Sequence, residues 1–145
     1  MLVCACFPPD APPPTILEAR RHPHAARWLD ASSGPPDITV IAELEDGTPI
    51  GAGVGRFFET PEPPGPSVPP GTPELALAVA PEHRGRGLGT FLLRAWLEAL
   101  EARGIRSAFL TVSVRNLSAI RLYEGAGFRK LGQNGNQCLM LFEHA

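Results

Sequence analysis

The sequence predicts an α/β (α+β) fold: one mixed central β-sheet flanked by helices and closed by a C-terminal hairpin. Three observations carry that expectation. Two β-rich runs meet at Asp46-Gly47, a hairpin signal. From Glu74 the pattern alternates strand, helix, strand, helix, as in a sheet with crossover connections. The last two apolar runs, FRKLG and QCLMLF, flank Asn134-Gly135, a second hairpin signal.

The elements follow in order. Pro8, Pro9, Pro12, Pro13 and Pro14 exclude regular helix near the start, while Met1–Phe7 could form an edge strand. Residues 15–31 predict two short helical pieces split at Pro23, with His22 and His24 read as surface residues. DITVIAEL, from Asp37, reads as a strand, and PIGAGVGRFF, from Pro49, as its return. Gly51, Gly53 and Gly55 share one face of that return strand. Such a face admits either a ligand or a closely packed helix, and the helix is the plainer reading.

Residues 59–73 hold seven prolines, which bar them from a sheet interior and predict a stiff exposed loop between strands. ELALAV, Glu74 to Val79, is a strand. Leu88–Arg103 is a helix whose apolar residues at 88, 91, 92, 95, 96 and 99 follow helical spacing, with Gly104 as its stop. Ile105–Val114 is the next strand. Asn116 is placed to cap a short helix running to about Glu124, with Gly125 and Gly127 near its end.

The chain has 145 residues, the length of one domain, so residues 1–145 are read as a single domain with a proline-rich, poorly defined stretch over 1–36. No apolar run reaches the ~18 residues of a membrane span. The N-terminal MLVCACF lacks a basic leader, so a signal peptide is not expected. Cys4, Cys6 and Cys138 lack the spacing of a disulfide framework or a zinc site, which favours a reducing cytoplasm and no metal. A net charge of 13 − 15 = −2 argues against a nucleic-acid partner. Residues 1–74 carry four arginines and ten acids, a net of −6; residues 75–145 carry nine basic residues and five acids, a net of +4. The first half suits a cationic ligand and the second an anionic one, unless the clustering is only a solvated surface.

The stretch RGRGLG, residues 84–89, lies between a strand and a helix, where backbone amides and helix dipole both favour an anion. The nucleoside-triphosphate loop needs a lysine after its glycines, but the one lysine in the chain is Lys130. The dinucleotide fingerprint lacks its third glycine, and Glu101 and Glu124 fall on helices rather than at a strand end. Arg84-x-x-Gly87-x-Gly89, after a strand ending Val79-Ala80-Pro81 and before a long helix, resembles instead the acetyl-CoA pyrophosphate site of the GNAT family of N-acetyltransferases. NLSAIRLYEGAGF, Asn116 to Phe128, resembles that family's second block, and the likeness runs from about Ile38 to Leu141.

The resemblance implies an acetyl-CoA-dependent N-acetyltransferase acting on a primary amine by direct attack on the thioester. It implies that the amides and side chains of Arg84, Gly85, Arg86, Gly87, Leu88, Gly89 and Thr90 hold the pyrophosphate. The strand through Leu77 to Val79 would pair with the pantetheine arm, and Asn116 would contact it. A backbone N–H near Val79 would meet the oxyanion. Tyr123, the sole tyrosine, corresponds to the family's donor of a proton to the departing sulfur. Glu74, at the start of its strand, is the candidate general base; Glu59 and Glu62 are weaker ones. His83 and Arg121 are expected to be surface partners. The acceptor would be a small-molecule or peptide amine, cationic by the charge of the first half. Family members often pair as homodimers, which makes a homodimer possible here, although no segment of the sequence marks an interface. A CoA-binding regulator without turnover is the competing reading, because the N-terminal region has no clean family counterpart.

Overall fold

In the computed structural model, the described residues are 21, 36–58 and 68–144. The expected edge strand at 1–7, the helical pieces at 15–31 with their histidines, and residues 59–67 with Glu59 and Glu62 lie outside them.

The described chain forms β1 (Ile38–Glu43), β2 (Pro49–Arg56), β3 (Glu74–Val79), α1 (Leu88–Ala102), β4 (Ser107–Ser113), α2 (Leu117–Ala126), β5 (Arg129–Asn134) and β6 (Gln137–Glu143). The strands make one mixed sheet in the order β1-β2-β3-β4-β6-β5, antiparallel throughout except where β3 meets β4. The fold class expected from sequence is the one observed.

Both hairpins form where their turn residues stand. Gly47 takes φ 88°, and Asp46 Oδ1 accepts from the Thr48 amide at 2.9 Å. Gly135 takes φ 58° between β5 and β6. At the open end of the first hairpin, Arg56 donates to both carboxylate oxygens of Asp37, at 2.8 Å for the shortest contact. That half-buried fork pins the start of β1 to the end of β2.

The glycine face of β2 packs against α1. An added Cβ at Gly55 would stand 2.3 Å from Trp96 Cζ2, and one at Gly51 would stand 2.7 Å from Leu92 Cδ1. Trp96 is fully buried in the space those glycines leave, and its Nε1 donates to the Ile38 carbonyl at 3.0 Å. The helix therefore fills the glycine face.

The buried residues of α1 are Leu92, Leu93, Trp96 and Leu100, whereas Phe91 is 66% exposed. The core face is thus rotated from the expected stripe. The helix is apolar over more than one stripe, so spacing alone does not decide which edge meets the sheet. A second correction concerns the proline-rich loop, expected to be exposed to residue 73. Val68 is buried against Phe109 and Leu141, and Thr72 Oγ1 donates to Pro69 O at 2.7 Å. An apolar side chain over an apolar sheet face holds this end of the loop down.

Alternating residues separate the two faces of the sheet. Ala108, Leu110, Val112, Cys138 and Met140 join the core under the helices with Ile120 and Tyr123. Phe109 and Leu141 point the other way. Cys138 is a buried free thiol, and burial pushes its pKa up.

Candidate functional site

The site is built on a gap in the sheet. Strands β3 and β4 share one ladder step, Glu74 with Phe109, anchored by the Phe109 amide donating to Pro73 O at 3.1 Å. Beyond it, β3 stays with β2 and β4 stays with β6, so the two central strands part. The Ala80 amide donates to Ile50 O at 2.8 Å. Because an antiparallel ladder bonds every second residue, Ala76, Ala78 and Ala80 serve β2. The peptide groups of Leu77 and Val79 therefore face the gap, and the Leu77 groups and the Val79 N–H are available to an extended partner.

At the end of β3 the chain makes a 3₁₀ turn at Pro81–His83 and passes through Gly85 (φ 73°) and Gly87 (φ 80°) into α1. Both glycines sit in the left-handed region, where a Cβ costs about 1–2 kcal/mol. Gly87 is the N-cap, and no side chain caps this helix. The first intrahelical bond runs from the Phe91 amide to Gly87 O, so the amides of Leu88, Gly89 and Thr90 have no partner within the helix. An uncapped N-terminus with its dipole and three orphan donors is a site for an anion. Arg84 adds charge at its mouth, with Nε donating to Val79 O at 3.2 Å. Gly89 has a different reason: a Cβ there would stand 3.3 Å from Leu122 Cδ2, where α2 crosses α1.

Asn116 caps α2, its Oδ1 accepting from the Ala119 amide at 3.3 Å. Gly127 ends that helix at φ 106°. Between the loop, β3 and the start of α2 lies a cleft of about 480 Å³. It gathers Leu77, Val79, Arg84, Gly85, Gly87, Leu88, Gly89, Thr90, Asn116 and Tyr123, ten of the residues singled out from sequence. Tyr123 is 2% exposed against Phe128 (ring centroids 5.6 Å apart), and burial alone pushes its hydroxyl pKa well above the ordinary tyrosine value.

The other residues singled out from sequence divide between the cleft and the rest of the molecule. Arg86 stands exposed and outside the cleft wall, because it sits at the apex between two left-handed glycines. His83 and Arg121, expected to be surface partners, line the cleft, as does Ser118, which the sequence reading missed. Asn116 and Tyr123 are seven apart and share a helix side, but Arg121 lies five residues from one and two from the other, so spacing carried no signal for it. Glu74 is absent from the cleft wall. It is 1% exposed, and Thr111 Oγ1 lies 3.5 Å from its Oε1. Thr111 alternates with the helix-facing Leu110 and Val112, so this carboxylate is on the opposite face of the sheet from Tyr123.

The Acetyltransferase (GNAT) family profile matches residues 4–128. The chain belongs to the GNAT family. Among relatives, this GNAT chain is 43% identical over 54 residues to the [ribosomal protein bS18]-alanine N-acetyltransferase of Salmonella typhimurium, covering 37% of this chain and 36% of that one. It is 46% identical over 54 residues to the mycothiol acetyltransferase of Stackebrandtia nassauensis, covering 37% and 18%. The matched stretches thus span about a third of the first relative's length and less of the second's. Among solved structures, the GNAT domain of S. lividans PAT aligns with TM-score 0.65 at 20% identity, over 83% of this chain and 67% of that one. The PaiA N-acetyltransferase of Thermoplasma acidophilum, in complex with coenzyme A, aligns with TM-score 0.62 at 20% identity, over 88% and 71%. These likenesses establish the fold. The GNAT donor, acetyl-CoA, matches the chemistry of the cleft: orphan amides and Arg84 for a pyrophosphate, and the gap-facing Leu77 peptide groups and Val79 N–H for an amide-bearing arm.

Proposed function

We propose that this GNAT protein is an acetyl-CoA-dependent N-acetyltransferase acting on a primary amine. The observation that carries the reading is the continuity of the uncapped α1 N-terminus with the gap-facing Leu77 peptide groups and Val79 N–H of β3 in one cleft. Relatives with names as different as [ribosomal protein bS18]-alanine N-acetyltransferase and mycothiol acetyltransferase each align with this chain over 54 residues, and acetyl transfer is what the two names have in common.

Acetyl-CoA, when bound, supplies an acetyl group activated as a thioester. The amides of Gly85 to Thr90 and the Arg84 guanidinium hold its pyrophosphate, while Leu77 and Val79 pair with its pantetheine arm and Asn116 contacts it. The Val79 N–H donates to the carbonyl oxygen as negative charge grows there. The acceptor nitrogen forms the new C–N bond and the C–S bond breaks. Tyr123, held protonated by burial, gives its proton to the departing sulfur. Glu74 takes the proton lost by the amine, directly or through water. The two groups occupy opposite faces of the sheet, and the parting of β3 from β4 connects those faces. Donor and acceptor can therefore enter from different sides.

The acceptor is a cationic small-molecule or peptide amine, a reading that rests on the net −6 of residues 1–74. A panel in which neutral or acidic amines outperform cationic ones would sink it. The cysteine usage favours a reducing cytoplasm. No helix of the described residues is long and apolar enough to cross a membrane. A homodimer, the state that the family likeness carries, is checked by sedimentation.

The thermal midpoint with acetyl-CoA, beside NADH and ATP, tests the donor. A ligand at ~100 times its Kd adds about 2.7 kcal/mol, several degrees for a domain of this length. A shift with acetyl-CoA alone is expected. Equal shifts with ATP, or none at all, would overturn the reading.

A further inference from the structure

We infer that the side-chain carbonyl of Gln137 recognises the acceptor, accepting a hydrogen bond from an N–H other than the one that reacts; this rests on the N-acetyltransferase reading. Gln137 opens β6 directly opposite Ser113, the last residue of β4. Opposed residues share a face, so Gln137, Ser113, Thr111, Leu139, Phe109 and Leu141 all lie on the side away from the helices. That is the face of Glu74. It is graded along its length. Phe109 and Leu141 close its inner end under Val68. Thr111 and the Glu74 carboxylate come next, and Ser113 with Gln137 lie one further step out, about 7 Å along the strand.

Gln137 Oε1 is sealed from solvent and has no hydrogen-bond partner among the described residues. Across the ladder, Ser113 Oγ accepts from the Arg115 amide at 3.3 Å and makes no bond to Gln137 Oε1. A buried amide carbonyl left unmade is costly, and such groups in native proteins call for an explanation by function or by an absent partner. A carbonyl oxygen only accepts, so its partner is a donor. Glu74 on the same face selects an ammonium for the reacting end. The offset from Glu74 then places Gln137 at the body of the acceptor, on a peptide amide or a second amine. The matching class is a polyamine or a peptide with a free amine, rather than a simple alkylamine.

The test compares wild type, Gln137→Met and Gln137→Glu with three probes: spermidine, a short peptide with a free α-amine, and propylamine. The wild type should use spermidine or the peptide about tenfold better than propylamine, judged by kcat/KM. Gln137→Met, of similar volume without the orphan carbonyl, should melt a few degrees higher without ligand. It should raise KM for the preferred probe about tenfold with kcat within about twofold, at unchanged acetyl-CoA affinity. Gln137→Glu, which keeps an accepting oxygen, should recover the KM. A lower midpoint in Gln137→Met would mean that the carbonyl already has a structural partner, and would overturn the inference. So would an unchanged KM, or a wild type that binds acetyl-CoA and turns over none of the three amines. A wild type without an acetyl-CoA shift removes the reaction, and the inference with it.

Discussion

Arg84 Nε donates to the Val79 carbonyl across 3.2 Å, tying the anion-facing loop to the last residue of β3. Two parts of the cleft, one for phosphates and one for an extended arm, are held in register by this bond. The side chain is exposed, so the bond contributes little to the fold by itself. Its value lies in positioning. Arg84→Ala is expected to weaken acetyl-CoA binding about tenfold while changing unfolding stability by less than about 1 kcal/mol. Arg84→Lys should recover only part of the affinity, because an ammonium has the charge without the planar fork. Calorimetric titration beside a melt checks both; a large loss of stability at intact affinity would make Arg84 a structural residue.

Gly87 and Gly55 are both required, for different reasons, and one substitution at each separates them. Gly87 has φ 80° and nothing within 4 Å of an added Cβ, so Gly87→Ala meets only backbone strain of about 1–2 kcal/mol. Its methyl group would stand at the N-cap of α1, and acetyl-CoA affinity should fall by more than the stability does. Gly55→Ala drives a Cβ to 2.3 Å from the Trp96 ring, an overpacking that costs about 1–3 kcal/mol or more. That variant should melt early yet bind acetyl-CoA normally below its midpoint. Equal losses of affinity in the two would argue against a cradle at Gly87.

Local signals made most of the fold legible. Asp46-Gly47 turns the first hairpin, Asn116 caps α2, and Gly127 ends it, each through chemistry confined to a few neighbouring residues. The same locality explains why RGRGLG could be read as a cradle. The parting of β3 from β4 was not legible from residue patterns, because one surviving ladder step, Glu74 with Phe109, is a tertiary outcome. Nor was the partition of the site between two faces. Arg121 reaches the cleft because α2 crosses α1 where Gly89 meets Leu122, and that crossing leaves no mark on the spacing of arginines. Gln137 belongs to the face of Glu74 through strand register, which sequence periodicity cannot set between separate strands.

Tyr123 supplies a direct optical test, since it is the only tyrosine in the chain. Burial raises its pKa, so the folded protein keeps the phenolic proton above pH ~10, where an unfolded chain would release it. The sign follows from linkage: in that range the unfolded state binds fewer protons, and stability falls as pH rises. The contribution is complete below about pH 10 and is lost progressively above it. Phenolate absorbance should therefore stay flat through the ordinary tyrosine range and appear only with alkaline unfolding, tracked by circular dichroism. Tyr123→Phe keeps the ring beside Phe128 and removes the proton, so kcat should drop about 100-fold or more with acetyl-CoA affinity retained. Phenolate that appears while the fold is intact would mean that the hydroxyl is open to solvent. An undiminished kcat in Tyr123→Phe would assign protonation of the sulfur to another group.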